Sequence, residues 1–228
     1  MGRPSFLFAG FAALACAACT PMTATKSTSL QAALTQYNMS LLRPPSNLYP
    51  PGAVARVQVL DAATTDSPGT IVSLGRLCPL PPMPLDSINH SRTNDLVVTY
   101  DLSADVTAKA ELQKILQFNA GLNHVDKVEL SLTNVTLYRP DDVQLAAAVA
   151  AIKQQGCSVS GRKQVIAVLQ ADASVKTTVS RGANLSVTQT QALQRLVGGQ
   201  FGADLSVGSG EEMTGKGLFY GVEVAPPS

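Results

Sequence analysis

The chain has no tryptophan, two histidines and four cysteines among 228 residues, and aromatic residues make up only 5% of it. So few histidines and cysteines leave little material for a metal centre or a histidine-based active site. Charge is scarce as well: 14% of residues are charged, against about 25% in an average globular chain. The formal net charge is +1, and setting Arg3 aside leaves 16 basic against 16 acidic residues. A chain so balanced carries no electrostatic footprint for nucleic acid. With hydrophobic residues at 45%, it is equally far from the composition of a disordered protein. Beyond residue 18 no apolar run reaches 18 residues, so no spanning helix is expected there.

The informative stretch is the N-terminus. Arg3 supplies a positive charge, and residues 6–18 are an unbroken apolar and small run. As a helix that run rises only about 20 Å, short of a roughly 30 Å hydrocarbon core, so it is expected to be a signal peptide. It ends Leu14-Ala15-Cys16-Ala17-Ala18-Cys19-Thr20.

An Ala-Ala pair directly before Cys19 resembles the lipobox of bacterial lipoproteins. In that family the cysteine is acylated with diacylglycerol and becomes the first residue after cleavage. The resemblance covers residues 1–19 only, and Cys16 stands where leucine is usual, three positions before the cut. Ala13-Leu14-Ala15 before Cys16 forms a second, poorer lipobox, and Ala15 or Ala17 could serve an ordinary secretory cut. The resemblance implies attachment to a membrane through an N-terminal lipid. With Thr20 rather than Asp after the cysteine, it implies the periplasmic face of the outer membrane. Lipid chains would hold such a protein at a bilayer without a spanning helix.

If Cys16 leaves with the signal peptide and Cys19 carries lipid, Cys78 and Cys157 remain as an even pair in an oxidising compartment. A bridge between them would close a loop of about 79 residues, worth on the order of 4 kcal/mol in the chain-entropy model. Two buried free thiols are the alternative.

The remaining chain reads as an α+β fold. Residues 19–29 form the expected lipidated cysteine and a flexible tether. Residues 30–94 are an N-terminal segment: a short helix over 30–39, extended Pro-rich chain over 43–52, strands near 53–60 and 71–78, a loop over 61–69 and a long surface loop over 79–94. Residues 95–156 are expected to form a βαββ unit followed by an extra helix. Ala108, Leu112, Ile115 and Leu116 have helical spacing. In the following strand Val128, Leu130 and Leu132 share one face while Val135 and Leu137 have the opposite parity, which a bulge or a tight turn at Thr133-Asn134 would repair. The extra helix has Leu145, Val149 and Ile152 as its stripe. Asp141 and Asp142 suit its positive end, Lys153 its negative end, and Gly156 its stop.

Residues 157–228 are expected to form a second βαββ unit. A strand over 163–181 begins apolar on both faces and becomes one-sided from Ala171. Ser186 to Gln189 fits a capping box, with Ala192, Leu193, Leu196 and Val197 behind it and Gly198-Gly199 as the stop. A hairpin of strands 203–207 and 217–224 closes the unit. Leu112-Gln113-Lys114-Ile115-Leu116 matches Leu193-Gln194-Arg195-Leu196-Val197 in type, offset by 81, which suggests a duplication. Each unit has one helix to cover one sheet face, so the other face is expected to find a partner in the sister unit, the N-terminal strands or another subunit. The Pro-Pro-Gly opening and the Val168-to-Asp172 strand look like those of bacterial lipoproteins of no named family. The units are similar, in topology alone, to ring-building modules of secretion-system lipoproteins.

Little chemistry is legible. Residues 210–216 match the start of a phosphate-binding P-loop. Gly217, however, stands where Ser or Thr must hold magnesium, and the segment leads into a strand instead of a helix. His90 and His124 are isolated, with no zinc spacing and no Gly-x-Ser-x-Gly elbow in the chain. Asp172 is expected to face solvent or pair with Lys176, and Glu211-Glu212 to be solvated. No metal or cofactor is expected. The leading expectation is a non-enzymatic envelope lipoprotein with a structural or protein-binding role, bound to an envelope partner or to itself. A solute- or glycan-binding lipoprotein is the alternative, with Tyr49, Tyr100, Tyr138 and Tyr220 as stacking surfaces. An envelope hydrolase using His124 or His90 is third.

Overall fold

A computed structural model describes residues 25–27, 29–60, 70–75, 78, 83–116, 124–180, 186–201 and 212–227. The signal segment, Cys16, Cys19, the loop over 61–69 and the expected strand over 203–207 lie outside these residues. Among the described residues the elements run in the order β1 (Thr25–Ser27), α1 (Leu30–Thr35), β2 (Ser40–Ser46), β3 (Val54–Val59), β4 (Ile71–Gly75), β5 (His90–Arg92), β6 (Leu96–Asp101), α2 (Val106–Leu116), β7 (Val125–Tyr138), α3 (Asp142–Gln154), β8 (Lys163–Val179), α4 (Val187–Gln200) and β9 (Glu212–Ala225). The fold is α+β, with all nine strands in one mixed sheet.

The strand β8 organises the sheet. One of its edges pairs with β9 from Gln164 to Lys176. The other pairs with β7 from Val168 to Val179 and with β3 at Lys163 and Gln164. β3 pairs with β4, β4 runs parallel to β2, and β2 returns antiparallel to β9. The pairings β8–β3–β4–β2–β9–β8 therefore close on themselves, and the other end of β8 belongs to an open sheet β1–β6–β7–β8–β9. Two cores follow. Leu42, Val72, Leu74, Val165, Val168, Phe219 and Val222 cluster within the closed part. The larger core lies on the face of the open sheet that α1, α2 and α4 cover, through Leu30, Leu34, Leu112, Ile115, Val197 and Phe201.

β6–α2–β7 and β8–α4–β9 are both strand–helix–strand passages whose two strands pair antiparallel, and β7–β8 pairing makes one continuous sheet of them. In the first passage β7 runs unbroken through its irregularity, so the two described strands make a βαβ passage there. In the second, residues 212–215 belong to β9, and the expected strand over 203–207 lies outside the described residues. The helices are not equivalent residue for residue. Ile115 is fully buried, while its counterpart Leu196 is 45% exposed. The second face of the open sheet is polar. It carries Lys127, Glu129, Ser131, Ser174 and Lys176, partly or fully exposed, as an antiparallel sheet with one wet face should.

Helix ends follow local chemistry. Asp141 and Gln144 form a capping box on α3, and Gly156 beyond it takes φ +78°. Asp105 accepts from the Thr107 and Ala108 N–H groups to start α2. Ser186 and Gln189 cap α4 reciprocally, as the spacing predicts. That helix continues through Gly198 and Gly199 to Gln200, because Val197 and Phe201 are pinned in the core and packing outweighs glycine's weak helix propensity. Ala192 and Leu196 are exposed, so its apolar stripe is narrower than expected.

Three stretches are more ordered than their composition suggests. Thr25–Ser27, expected to be tether, adds in parallel to the free edge of β6. Residues 83–94, expected to be surface loop, contain a 3-10 turn at Leu85–Ser87, a buried Ile88 and β5, which pairs with β7. Pro44 and Pro45 lie within β2, where the pairing with β9 skips from Leu41 to Ser46.

The register of β7 shifts between Thr133 and Thr136, with Asn134 at φ +54°, so Val135 and Leu137 rejoin the face of Val128, Leu130 and Leu132. On the other flank of β8 the register of β9 shifts between Leu218 and Gly215, with Gly217 at φ +62°. Asp172 sits between the two bulges. Its Oδ1 accepts from the Gly217 N–H and its Oδ2 from Asn134 Nδ2, both at 2.8 Å. Arg92 Nη2 donates in turn to Asn134 Oδ1 at 2.7 Å. Asp172 is thus a clip across two bulges, not a partner of Lys176. Asp172→Ala should cost about 1–3 kcal/mol in denaturant unfolding, the usual loss when buried or half-buried donors lose their acceptor. Ser174→Ala, two residues along on the wet face, should stay within about 0.5 kcal/mol. Equal effects would show that Asp172 clips nothing.

Candidate functional site

The two body cysteines are joined: Cys78 and Cys157 form a disulfide with an S–S distance of 2.07 Å and 79 residues of separation. Cys78 packs with Val54, Val149 and Ile152 in a third, small cluster, with Cys157 and Val159 against it. The bridge therefore fastens the segment after β4 to the end of α3.

The four tyrosines are not brought together. Tyr100 and Tyr220 are fully buried in the larger core, because strand alternation points them at the helices. Tyr100 Oη accepts from the Leu30 N–H at 3.2 Å and donates to Glu111 Oε1 at 3.3 Å. Tyr220 Oη donates to the Phe201 carbonyl at 2.6 Å. Burial raises the pKa of both hydroxyls, with Glu111 adding to the effect on Tyr100 and Asp172 to that on Tyr220. Neither ring offers a face to a solute, which corrects their assignment as stacking surfaces. Tyr49 is half-buried against the second core and donates to the Leu74 carbonyl. Tyr138 is half-buried there too, its ring tilted 34° to His90 with centroids 5.6 Å apart.

Among the described residues neither histidine side chain meets a serine and a carboxylate in a catalytic arrangement. His90 is exposed, with Nδ1 3.0 Å from the Ile88 carbonyl. His124 is exposed at the start of β7, close to a Ser–Asp pair: Ser180 Oγ donates directly to Asp126 Oδ1, and the Ser180 N–H donates to the His124 carbonyl. A nucleophile relay needs the imidazole between serine and carboxylate. Here the serine bonds the carboxylate, and the histidine contributes only its backbone. Among the described residues no group of three His, Cys, Asp or Glu side chains could hold a metal ion.

The best-built polar cluster joins the entry of the chain to α2. Ser29 caps α1, accepting from the Ala32 N–H at 3.1 Å, and its Oγ donates to Glu111 Oε1 at 2.7 Å. Glu111 thereby ties α2 to the first turn of α1 and to Tyr100 on β6. Sequence reasoning missed this cluster, whose partners lie 82 and 11 residues apart. Burial holds the Glu111 carboxyl above its ordinary value, although the hydrogen bonds from Ser29, Tyr100 and the Gln31 and Leu30 backbone pull it down.

No protein-family model matches this chain, and neither does any curated protein. Among solved structures, a bacterial gasdermin from Bradyrhizobium tropiciagri is similar over 85% of this chain and 83% of its own, with 13% identity and a TM-score of 0.39. No helix among the described residues is long and apolar enough to cross a membrane.

A carboxyl held above its ordinary value in the fold stabilises that fold below its unfolded-state value and loses this contribution as pH rises through the folded value. Glu111→Gln should therefore gain thermal stability relative to the unaltered protein as pH is raised from about 4 to about 7. Thermal melts across that range test it; a flat or inverted difference contradicts it.

Proposed function

We propose that this chain is an exported lipoprotein, held at a bilayer by lipid on Cys19, whose body is a non-catalytic structural or protein-binding module of a cell-envelope assembly. The observation that carries this reading is the partition of the cysteines. Cys78 and Cys157 are bonded to each other, as suits an oxidising compartment, and the lipobox-like end leaves Cys19 free for acylation. Residue 25 already lies in the sheet, paired with Leu96. Six residues of chain span at most about 20 Å, so an anchor at Cys19 would keep the β1–β6 edge close to the bilayer instead of on a long leash. The polar face of β7 and β8 and the hydrogen-bonded interior tyrosines favour a scaffold over a solute receptor. The Ser180–Asp126 pair, with the His124 imidazole outside it, argues against a hydrolase.

Cys19→Ser tests the anchor in the full-length chain. The unaltered protein should fractionate with membranes and the variant should be released to the soluble fraction. Retention of the variant on membranes, or solubility of the unaltered protein, contradicts the reading. In detergent, the unaltered protein should migrate above its monomer mass or co-purify with an envelope protein; a strictly solitary monomer removes the assembly role.

A further inference from the structure

The helix α3 lies in an excursion of the chain. β7 and β8 pair directly with each other, Tyr138 opposite Val168, and residues 139–162 leave the sheet between them and return. The helix buries Leu145, Ala148, Val149 and Ile152, yet among the described residues none of its side chains enters either of the two larger cores. Val149 and Ile152 pack in the small cluster with Val54 and Cys78, and Ala148 lies against Gly52 in the turn before β3. Two side-chain hydrogen bonds add to this hold. Gln144 Nε2 donates to the Ser87 carbonyl at 3.0 Å, and Gln164 Nε2 donates to the Leu145 carbonyl at 2.9 Å. The Cys78–Cys157 bond is the covalent tie across the same contact.

The two halves of that bond differ in environment. Cys78 is fully buried, and its N–H donates to the Val54 carbonyl at 3.0 Å. Cys157 is partly exposed, in a turn where Gln155, Gly156, Ser158 and Ser160 are exposed. A thiolate attacks whichever sulfur of a disulfide it can reach, and here that is the sulfur of Cys157. Both ends of the excursion stay fixed by β7 and β8, so α3 can lift away without breaking the ladder between them. The Gln164 amide and the Leu145 carbonyl would then meet water, which leaves no buried polar group unpaired. Elements with few apolar contacts open in this local way while the rest of a fold persists.

We propose that the Cys78–Cys157 bridge is a redox latch on α3: a dithiol reductant opens it and frees the helix, while the β7–β8–β9 sheet stays folded. One thiolate of the reductant attacks Cys157 Sγ, forming a mixed disulfide and expelling the Cys78 thiolate. The second thiolate of the reductant then closes the reductant's own disulfide and expels Cys157. Two electrons pass to the protein, and both cysteines take up a proton and end as thiols. Release uncovers Val54, Val149 and Ile152, so the reduced body presents an apolar surface that the oxidised body hides. This inference stands on the body of the chain and is independent of how Cys19 is processed.

The test is hydrogen exchange read by mass spectrometry on the purified full-length protein in detergent, oxidised and after treatment with dithiothreitol. A mass gain of two hydrogens confirms that the bridge has opened. On reduction the amides of Asp142–Gln154 should exchange on the order of a hundredfold faster, and those of β7, β8 and β9 should change by less than about threefold. Reoxidation should restore the protection of α3. Replacing both cysteines, Cys78→Ala with Cys157→Ala, should reproduce the reduced pattern with no reductant present. Should that variant fail to fold, the dithiothreitol series on the unaltered protein decides alone. A bridge that resists dithiothreitol in the folded protein overturns the proposal. So does an opened bridge with unchanged exchange in α3, which would mean that packing alone holds the helix. Faster exchange shared equally by β8 overturns it as well, because the bridge would then staple the whole fold instead of one element.

Discussion

Everything in this molecule is arranged around a strand whose two edges are both occupied. β8 gives one edge to β9 and divides the other between β7 and β3. At its start it lies in the closed run of strands, and Val165, Ala167, Val168 and Leu169 are buried on both faces. Farther along it lies in the open sheet. There Ala171, Ala173 and Val175 are buried while Asp172, Ser174 and Lys176 face the wet side. A strand in two environments must be flanked by neighbours that change register between them, and both do so at the level of Asp172. The extra twist and bend of a bulge explain why the two irregularities sit at one height on opposite flanks. The carboxylate between them accepts the N–H that the β9 bulge turns out of the ladder.

Much of this organisation is written locally. The parity flip from Leu132 to Val135 marks a break in β7 at Thr133-Asn134 from sequence alone, because a one-residue insertion or a tight turn is needed to keep a two-residue period on one face; the structure makes it a bulge. Ser186 with Gln189 and Asp141 with its following turn announce helix starts, since the chemistry of an N-cap is confined to four consecutive residues. The change of β8 from two-sided to one-sided burial is visible in its residues.

What escaped the reading depends on distant partners. Thr25–Ser27 has no strand pattern of its own and becomes a strand because β6 offers a free edge. β5 owes its pairing to the stretch of β7 beyond the bulge, past the end of β6. The role of Asp172 requires knowing that Asn134 and Gly217 stand on either side of it. The tyrosines were assigned to a surface on residue type alone, whereas strand parity and the helices above decide that Tyr100 and Tyr220 are interior. Nor does Arg43-Pro44-Pro45-Ser46 contain any hint that its arginine is buried; that depends on α4 arriving from 157 residues away.

The body and the proposed anchor meet at one end of the sheet. The chain enters at the β6 edge, Ser29 and Glu111 tie that entry to α2, and the Cys78–Cys157 bridge fastens the far side of the fold at α3. The proposed export route and oxidising destination would account for the bridge and for a lipobox-like cysteine outside it. Intact mass of the protein extracted from membranes reads cleavage, acylation and oxidation together. The account predicts a chain beginning at Cys19, heavier by its lipid and lighter by the two hydrogens of one disulfide. A chain beginning at Met1 with four free thiols would contradict it.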